Sequence, residues 1–405
     1  MKNEKEINIV NDILELSEII TYNSETFNNT IRTFGFGPSN ISFVGKEKVI
    51  KFEDKLFFLY NVKREISESW TLKKFENELI NLIRTLKKEE RKCNENDYLN
   101  FIKIFLEKDL VESELLYELY GADLSIPSIE YGDYTVYNYD LSKDLIEKKY
   151  PTFDFDLFLE RRTSNILISI KVKARENAKA VEIGNKLCET FENVFNYMIS
   201  DLKHQRGIGI LNYRGWRNTT LIICNQEGLG LNGSNQIVIN VNIDDPYFKD
   251  KSIGNDKIWE IVSKQNKTEI EKRLINSIEW IGKAIHEIDL SKSLVQFVFA
   301  IEGMLQFNEK VFVTPSIVSQ ISDWMAFIIS DDKNERIKIV KLFKDIYQKR
   351  SAITHGGIKI INIEDISISL QLSKLMIISF LTNKPFCEMK NMEELNKHLI
   401  NLKFK

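Results

Sequence analysis

A chain of 405 residues is too long for one ordinary hydrophobic core, so two or three domains are expected. Its composition, 43% hydrophobic and 28% charged with 6 Pro and 17 Gly, excludes a disordered or fibrous chain. The formal charge of -3 leaves no global field to hold a polyanion, so any nucleic-acid contact must come from a local patch.

The opening residues, MKNEKEINIVND, carry charges and no apolar h-region, which argues against export. A short helix is expected over NIVNDILELSEII, then a turn at Gly35, Gly37 and Pro38, then strands over Ile41 to Phe52 and Leu56 to Val62. LKKFENELINLIRTLKKEER, Leu72 to Arg91, repeats apolar residues at helical spacing with charges on its other face. With a second helix from Tyr98 to Tyr117 it reads as an exposed helical hairpin.

From Ser125 to Ile243 the pattern changes to the alternation of strands. FDFDLFLERR and ILISIKVKAR read as a hairpin across Thr163, Ser164 and Asn165. Asp154 and Asp156 precede Lys171 and Lys173, but the second carboxylate of a restriction-type metal site is missing, so these acids read as the wet face of an edge strand. A helix follows from Ala178 to Leu202. TTLIIC and QIVINVNI then read as two strands joined by a turn at Asn232, Gly233, Ser234 and Asn235. Between helix and strands, HQRGIGILNYRGWR gathers Arg206, Arg214 and Arg217 with Tyr213 and Trp216, which can stack on bases. It is a candidate RNA contact, and an ordinary strand-and-turn surface is the competing reading.

DDPYFKDKSIGNDK, 244 to 257, has the polar and glycine content of a boundary. Beyond it, helices are expected at 269 to 288, 291 to 308, 316 to 330, 333 to 354 and 364 to 381, joined as an antiparallel bundle. LVQFVFAIEGML, apolar almost all round, should be the central helix. That stretch and LMIISFL are too short for a membrane span. Cys93, Cys188, Cys224 and Cys387 show no zinc spacing, so no metal and no other cofactor is expected, and a reducing cytoplasm is the expected setting. The fold class is α+β multidomain: a mixed α/β and helical-hairpin region over 1-124, an α/β sensor or regulatory region over 125-257, and an all-α bundle over 258-405.

In the fourth bundle helix Ile339, Phe343, Ile346, Arg350 and Ile353 recur at spacings of three and four, which sets Arg350 on or beside the apolar stripe. A guanidinium there needs an acidic or phosphate partner. Glu302, an isolated carboxylate in the apolar second helix, is the expected partner, with a purely structural ion pair as the competing reading. Gly356 and Gly357 mark a helix end, so His355 should lie at the last turn near solvent, where a capping or surface histidine is the plain alternative.

The segment KDIYQKRSAITHGG, 344 to 357, resembles the signature of the HEPN superfamily, Arg followed after four to six residues by His, and in detail its Apea-like branch. Tyr347, the Arg350-Ser351 pair and the closing His355-Gly356 carry the resemblance. INSIEWIGKAI and LVQFVFAIEGML, with Glu302 at the branch's internal acidic position, extend it over the last third of the chain. It implies a helical bundle that dimerises so that two Arg/His motifs share a cleft. It also implies a metal-independent endoribonuclease acting in bacterial defence against phage, with RNA as substrate and tRNA among the candidates. His355 would transfer protons, Arg350 would stabilise the pentavalent phosphate, and the RNA 2'-hydroxyl would attack. Glu302, Ser351, Tyr347 and Lys349 would support them, although many active members have Asn, Asp or His where Ser351 stands, and Lys349 also reads as a solvated surface charge. A phage-derived trigger or an inhibitory partner would act through residues 1 to 250. The alternative is a non-catalytic HEPN-like module that binds RNA or dimerises to regulate a partner effector.

Overall fold

The computed structural model describes residues 3–19, 31–35, 40–149, 164–210, 219–225, 228–234, 239–307, 317–356 and 360–404. The N-terminal part runs α1 (Glu4–Leu16), β1 (Glu18–Ile19), β2 (Ile31–Phe34), β3 (Ile41–Val44), α2 (Lys46–Val62), α3 (Arg64–Ser69), α4 (Leu72–Lys88) and α5 (Glu95–Leu106). Next come β4 (Val111–Leu119), β5 (Ala122–Asp123), β6 (Ser128–Tyr131), β7 (Tyr134–Asn138) and α6 (Tyr139–Lys149). Then follow β8 (Ile166–Ala174), α7 (Asn177–Ile199), β9 (Thr219–Asn225), β10 (Gly228–Ser234) and β11 (Val241–Asn242). The C-terminal part is helical: α8 (Asn255–Ser263), α9 (Glu269–His286), α10 (Leu290–Leu305), α11 (Ile317–Ile329), α12 (Lys333–Thr354), α13 (Ile363–Thr382) and α14 (Met392–Lys403). A mixed α/β region is thus followed by an all-α bundle, as the change in periodicity predicts.

The chain forms two compact units, one of residues 1–115 with 171–185, the other of 116–170 with 186–405. In the first, α4 buries Phe75, Leu79, Ile80, Ile83 and Leu86, and α5 buries Tyr98, Phe101 and Phe105, in a core shared with α1, α2 and β3. The expected exposed hairpin is therefore corrected. Both helices carry a full apolar stripe, and burying it outweighs leaving the charged face on both sides in water. The returning segment is tied on by Arg175 N, which donates to Ser69 O at 3.0 Å, and by Thr71, whose N and Oγ1 donate to Glu176 at 3.0 and 2.9 Å.

Other expectations in this region change as well. The strand over Ile41 to Phe52 stops at Val44, because Gly45 at φ +92° turns the chain into α2. Leu56 to Val62 is helical: Phe52, Leu56, Leu59 and Tyr60 are buried at helical spacing while Phe57 is 60% exposed, so period overrides the β-preference of LFFLY. The helix expected to reach Tyr117 ends at Leu106, and VESELLYEL becomes β4. Gly37 and Pro38 lie outside the described residues, as do FDFDLFLERR, the first arm of the expected hairpin, with Asp154 and Asp156, and Asn235. Among its described residues QIVINVNI contributes β11, paired parallel to β5. The antiparallel partner of β9 is GLGLNGS, so Asn232, Gly233 and Ser234 stand in β10 opposite Leu221, Thr220 and Thr219, not in a turn.

In the second unit β7 pairs antiparallel with β6 and, over Ile166 to Ile170, with β8. An aromatic cluster packs on these strands: Phe191 and Phe195 of α7 lie 4.8 Å apart, and Tyr131 lies 5.0 Å from Phe195 and 4.9 Å from Trp259 of α8. Central α10 touches α9, α11, α12 and α13, as its all-round apolarity predicts. Ser277 Oγ donates to Ala300 O at 2.7 Å and Ser293 Oγ to Ala284 O at 2.8 Å, pinning α9 to α10. Among the described residues α13 has the length and apolarity to cross a membrane, so the expectation that its apolar stretch is too short is corrected; 61% of that window is buried in the bundle.

Gly282 marks a close helix crossing. A Cβ there would lie 2.2 Å from Asn193 O of α7, a backbone atom that cannot swing away. Gly282→Ala gains about 1 kcal/mol of helix propensity. Overpacking costs about 3 kcal/mol and should win. The expected result is a lower urea midpoint at unchanged m-value, and an unchanged midpoint would contradict this packing.

Candidate functional site

Helix α12 starts at Asp332, whose carboxylate accepts Asn334 N and Glu335 N, each at 2.9 Å. It buries Ile339, Phe343 and Ile346, and the same stripe carries Tyr347 and Arg350 one turn on. The helix ends as the double glycine predicts: Gly356 is left-handed at φ +74°, and His355 N donates to Ser351 O at 3.1 Å. His355 is the C-cap residue and its side chain is exposed. Five residues separate it from Arg350, about 7.5 Å along the helix axis.

Arg350 and Glu302 meet as their mirror-image anomalies require. Arg350 Nη2 donates to Glu302 Oε2 at 3.2 Å, with side-chain exposures of 20% and 14%. The guanidinium carbon lies 5.4 Å from the Phe299 ring centroid and 5.5 Å from that of Tyr347. Phe343 continues the row behind Tyr347 at 5.9 Å, and Trp280 stands edge-on to Phe299 at 5.5 Å. Two aromatic faces and one carboxylate thus fix the plane of the guanidinium. Arg350 Nε is buried without a hydrogen-bond partner. Burial raises the Tyr347 phenol above its ordinary value, and the Glu302 charge and its hydrogen bond add to this against the opposing Arg350 charge.

No protein family, curated protein or solved structure matches this chain.

The remaining expected residues divide. Lys349 is not a free surface charge: it pairs with Asp365, itself 6% exposed, which also accepts Asn362 N at 3.1 Å at the start of α13. The lysine thereby fastens the end of α12 to the first turn of α13. Ser351 is half-buried, and its carbonyl accepts both His355 N and, at 3.0 Å, Thr354 Oγ1. Arg206 is exposed in the loop after α7, its N donating to Asp201 at 2.7 Å. Tyr213, Arg214, Trp216 and Arg217 lie outside the described residues, as do Gly357 and Lys359. Sequence reasoning missed Phe299 and Asp365. The first stands one helical turn before Glu302, and the second closes an Asn362-Asp365 capping box, so both signals were present.

A second half-buried cation, Lys374, lies on α13. Lys374 Nζ donates to Ser200 Oγ at 2.7 Å and packs 5.3 Å from the Tyr197 ring centroid, and burial lowers its pKa to about 8. Between pH 8 and the ordinary lysine range the unfolded chain holds a proton that the folded chain has shed, so stability rises with pH there. Relative to Lys374→Met, the wild type should gain roughly 1–2 kcal/mol between pH 7.5 and 9.5, read from paired urea melts. Parallel pH profiles would show that Lys374 keeps its ordinary affinity for protons.

Proposed function

We propose that the protein is a metal-independent endoribonuclease of the HEPN type, a bacterial anti-phage effector that cleaves cellular or phage RNA. The observation that carries the reading is the pairing of a guanidinium held in a fixed plane, at Arg350, with an exposed imidazole, at His355, on the last turns of one helix. In this reading the RNA 2'-oxygen bonds to the adjacent phosphorus and the 5'-oxygen leaves. His355 moves a proton on this path and Arg350 balances the added charge on the phosphoryl oxygens. The products are a 2',3'-cyclic phosphate and a 5'-hydroxyl.

Two copies would face each other across the site. Ile337 and Leu342 on α12 and Ile360 and Ile363 around the start of α13 are exposed apolar side chains that support such packing. The protein would then work in the cytoplasm, where its RNA is, with residues 1 to 250 receiving a phage-derived trigger or an inhibitory contact. One observation favours a second reading, a non-catalytic RNA-binding or dimerisation module: Nη2 of Arg350 is committed to Glu302 and Nε is buried.

The test is cleavage of a tRNA pool in EDTA beside a transcript carrying 2'-deoxynucleotides at the mapped cut sites. The enzyme reading expects cuts in the first and none at the substituted positions. Binding without cleavage would establish the second reading.

A further inference from the structure

We propose that the second unit holds a further site, a pocket for the neutral cis-diol of a ribose, built from β5, β11 and the start of β8. A cavity of about 590 Å³ lies there, within the roughly 300–1,000 Å³ of small-molecule sites. Residues 120–125 and 164–166 converge on it with Asn138, Asn240 and Asn242, and all of these belong to the unit of 116–170 and 186–405.

The two short strands put their polar groups on one face. They pair in parallel with Asn242 in register with Asp123, and residues in register point to the same side. Alternation adds Asn240, two residues before Asn242, and its Nδ2 donates to Asp123 Oδ1 at 2.9 Å. Ile243, next along β11, is fully buried on the other side. The result is a row of amide, carboxylate and amide. Its backbone is fastened by Val241 N, which donates to Gly121 O at 2.8 Å, and by Ile243 N, which donates to Asp123 O at 2.9 Å. Asn138 secures another wall, its Nδ2 donating to Leu124 O at 2.7 Å.

The bonds this row leaves unmade define the ligand. Asp123 Oδ2, Asn240 Oδ1, both ends of the Asn242 amide and Ser125 Oγ have no hydrogen-bond partner among the described residues. Asn240 holds one carboxylate oxygen, so the other is preset to accept. An amide both donates and accepts, whereas a carboxylate only accepts. A pair of adjacent hydroxyls satisfies the row: one donates to Asp123 Oδ2 and its neighbour bonds to the Asn242 amide. An acidic side chain holds the ribose of a dinucleotide in the same manner. No lysine or arginine is among the lining residues, so a phosphate or carboxylate would meet Asp123 without a counter-charge. An ammonium would suit Asp123 but would use none of the amide donors. Ala122, Leu124 and Ile166 also line the cavity and make part of its wall apolar, a surface on which the face of a base can lie.

The test titrates the full-length protein, by calorimetry, with adenosine, guanosine, cytidine, uridine and D-ribose. At least one of these probes should bind, its 2'-deoxy counterpart should bind more weakly, and a 5'-monophosphate should bind no more tightly than its nucleoside. Tighter binding of a nucleoside than of ribose identifies a nucleoside ligand, and equal binding identifies the free sugar; both support the site. Asn242→Ala, at an exposed position, should weaken the bound probe about three- to tenfold at an unchanged melting temperature. Asp123→Ala, which removes the charged acceptor, should weaken it about ten- to a hundredfold. Absence of binding by every probe at millimolar concentration, equal binding of the 2'-deoxy compound, a tighter monophosphate, or binding indifferent to both variants would overturn the assignment. RNA cleavage does not enter this test, so the pocket and the ribonuclease reading stand or fall separately.

Discussion

His355→Ala is expected to reduce RNA cleavage by about a hundred- to ten-thousandfold, the contribution of one positioned proton-transfer group. The melting temperature should not move. His355 is exposed at the C-cap, and the bond that shapes the cap runs from its backbone N to Ser351 O, which alanine retains. The left-handed turn behind it belongs to Gly356, which is untouched. Exposed positions of this kind change stability by within about 0.5 kcal/mol. Lost activity at unchanged stability therefore identifies a chemical role, whereas retained cleavage would reduce His355 to the end of a helix.

Arg350→Ala should combine two losses. Without its electrostatic partner for phosphate, cleavage is expected to fall about a hundred- to a thousandfold. The bundle also loses the ion pair to Glu302 and both ring contacts. Breaking a fully buried pair costs about 3–5 kcal/mol. At 20% and 14% exposure solvent screens part of it, so about 2–3 kcal/mol is expected, read from urea melts. Arg350→Lys separates the two effects: a lysine restores charge for Glu302 but neither the fork nor the stacked plane, so stability should largely return and activity should not. Full activity together with wild-type melting in Arg350→Ala would remove both roles.

The bundle was legible in the sequence because its determinants are local. The stripes at three and four, and caps such as Thr268 with Glu271, Asp289, Asp332 and Asn362 with Asp365, place the ends of α9 to α13 within a few residues. The Glu302–Arg350 contact was legible for a different reason: each is a charge stranded on an apolar face, and stranded charges must pair. Phe299 escaped notice because an aromatic residue on a core helix reads as packing, and its second face, towards a guanidinium, depends on tertiary placement. The partner of Lys349 escaped because a lysine near a helix end reads as solvated until Asp365 is brought beside it. In the N-terminal unit, LFFLYNV misled through composition: five apolar or aromatic residues in a row suit a buried strand as well as a helix, and only the burial of Phe52, Leu56, Leu59 and Tyr60 decides between them.

We propose that Arg350 and His355 cleave RNA through its own 2'-hydroxyl. The most direct measurement is incubation of total cellular RNA with the purified wild type and with His355→Ala, in EDTA, followed by analysis of the fragment ends. New 2',3'-cyclic phosphate ends made by the wild type alone are the predicted result. Equal fragmentation by both proteins, or fragments that end in 3'-hydroxyl and 5'-phosphate, would contradict it.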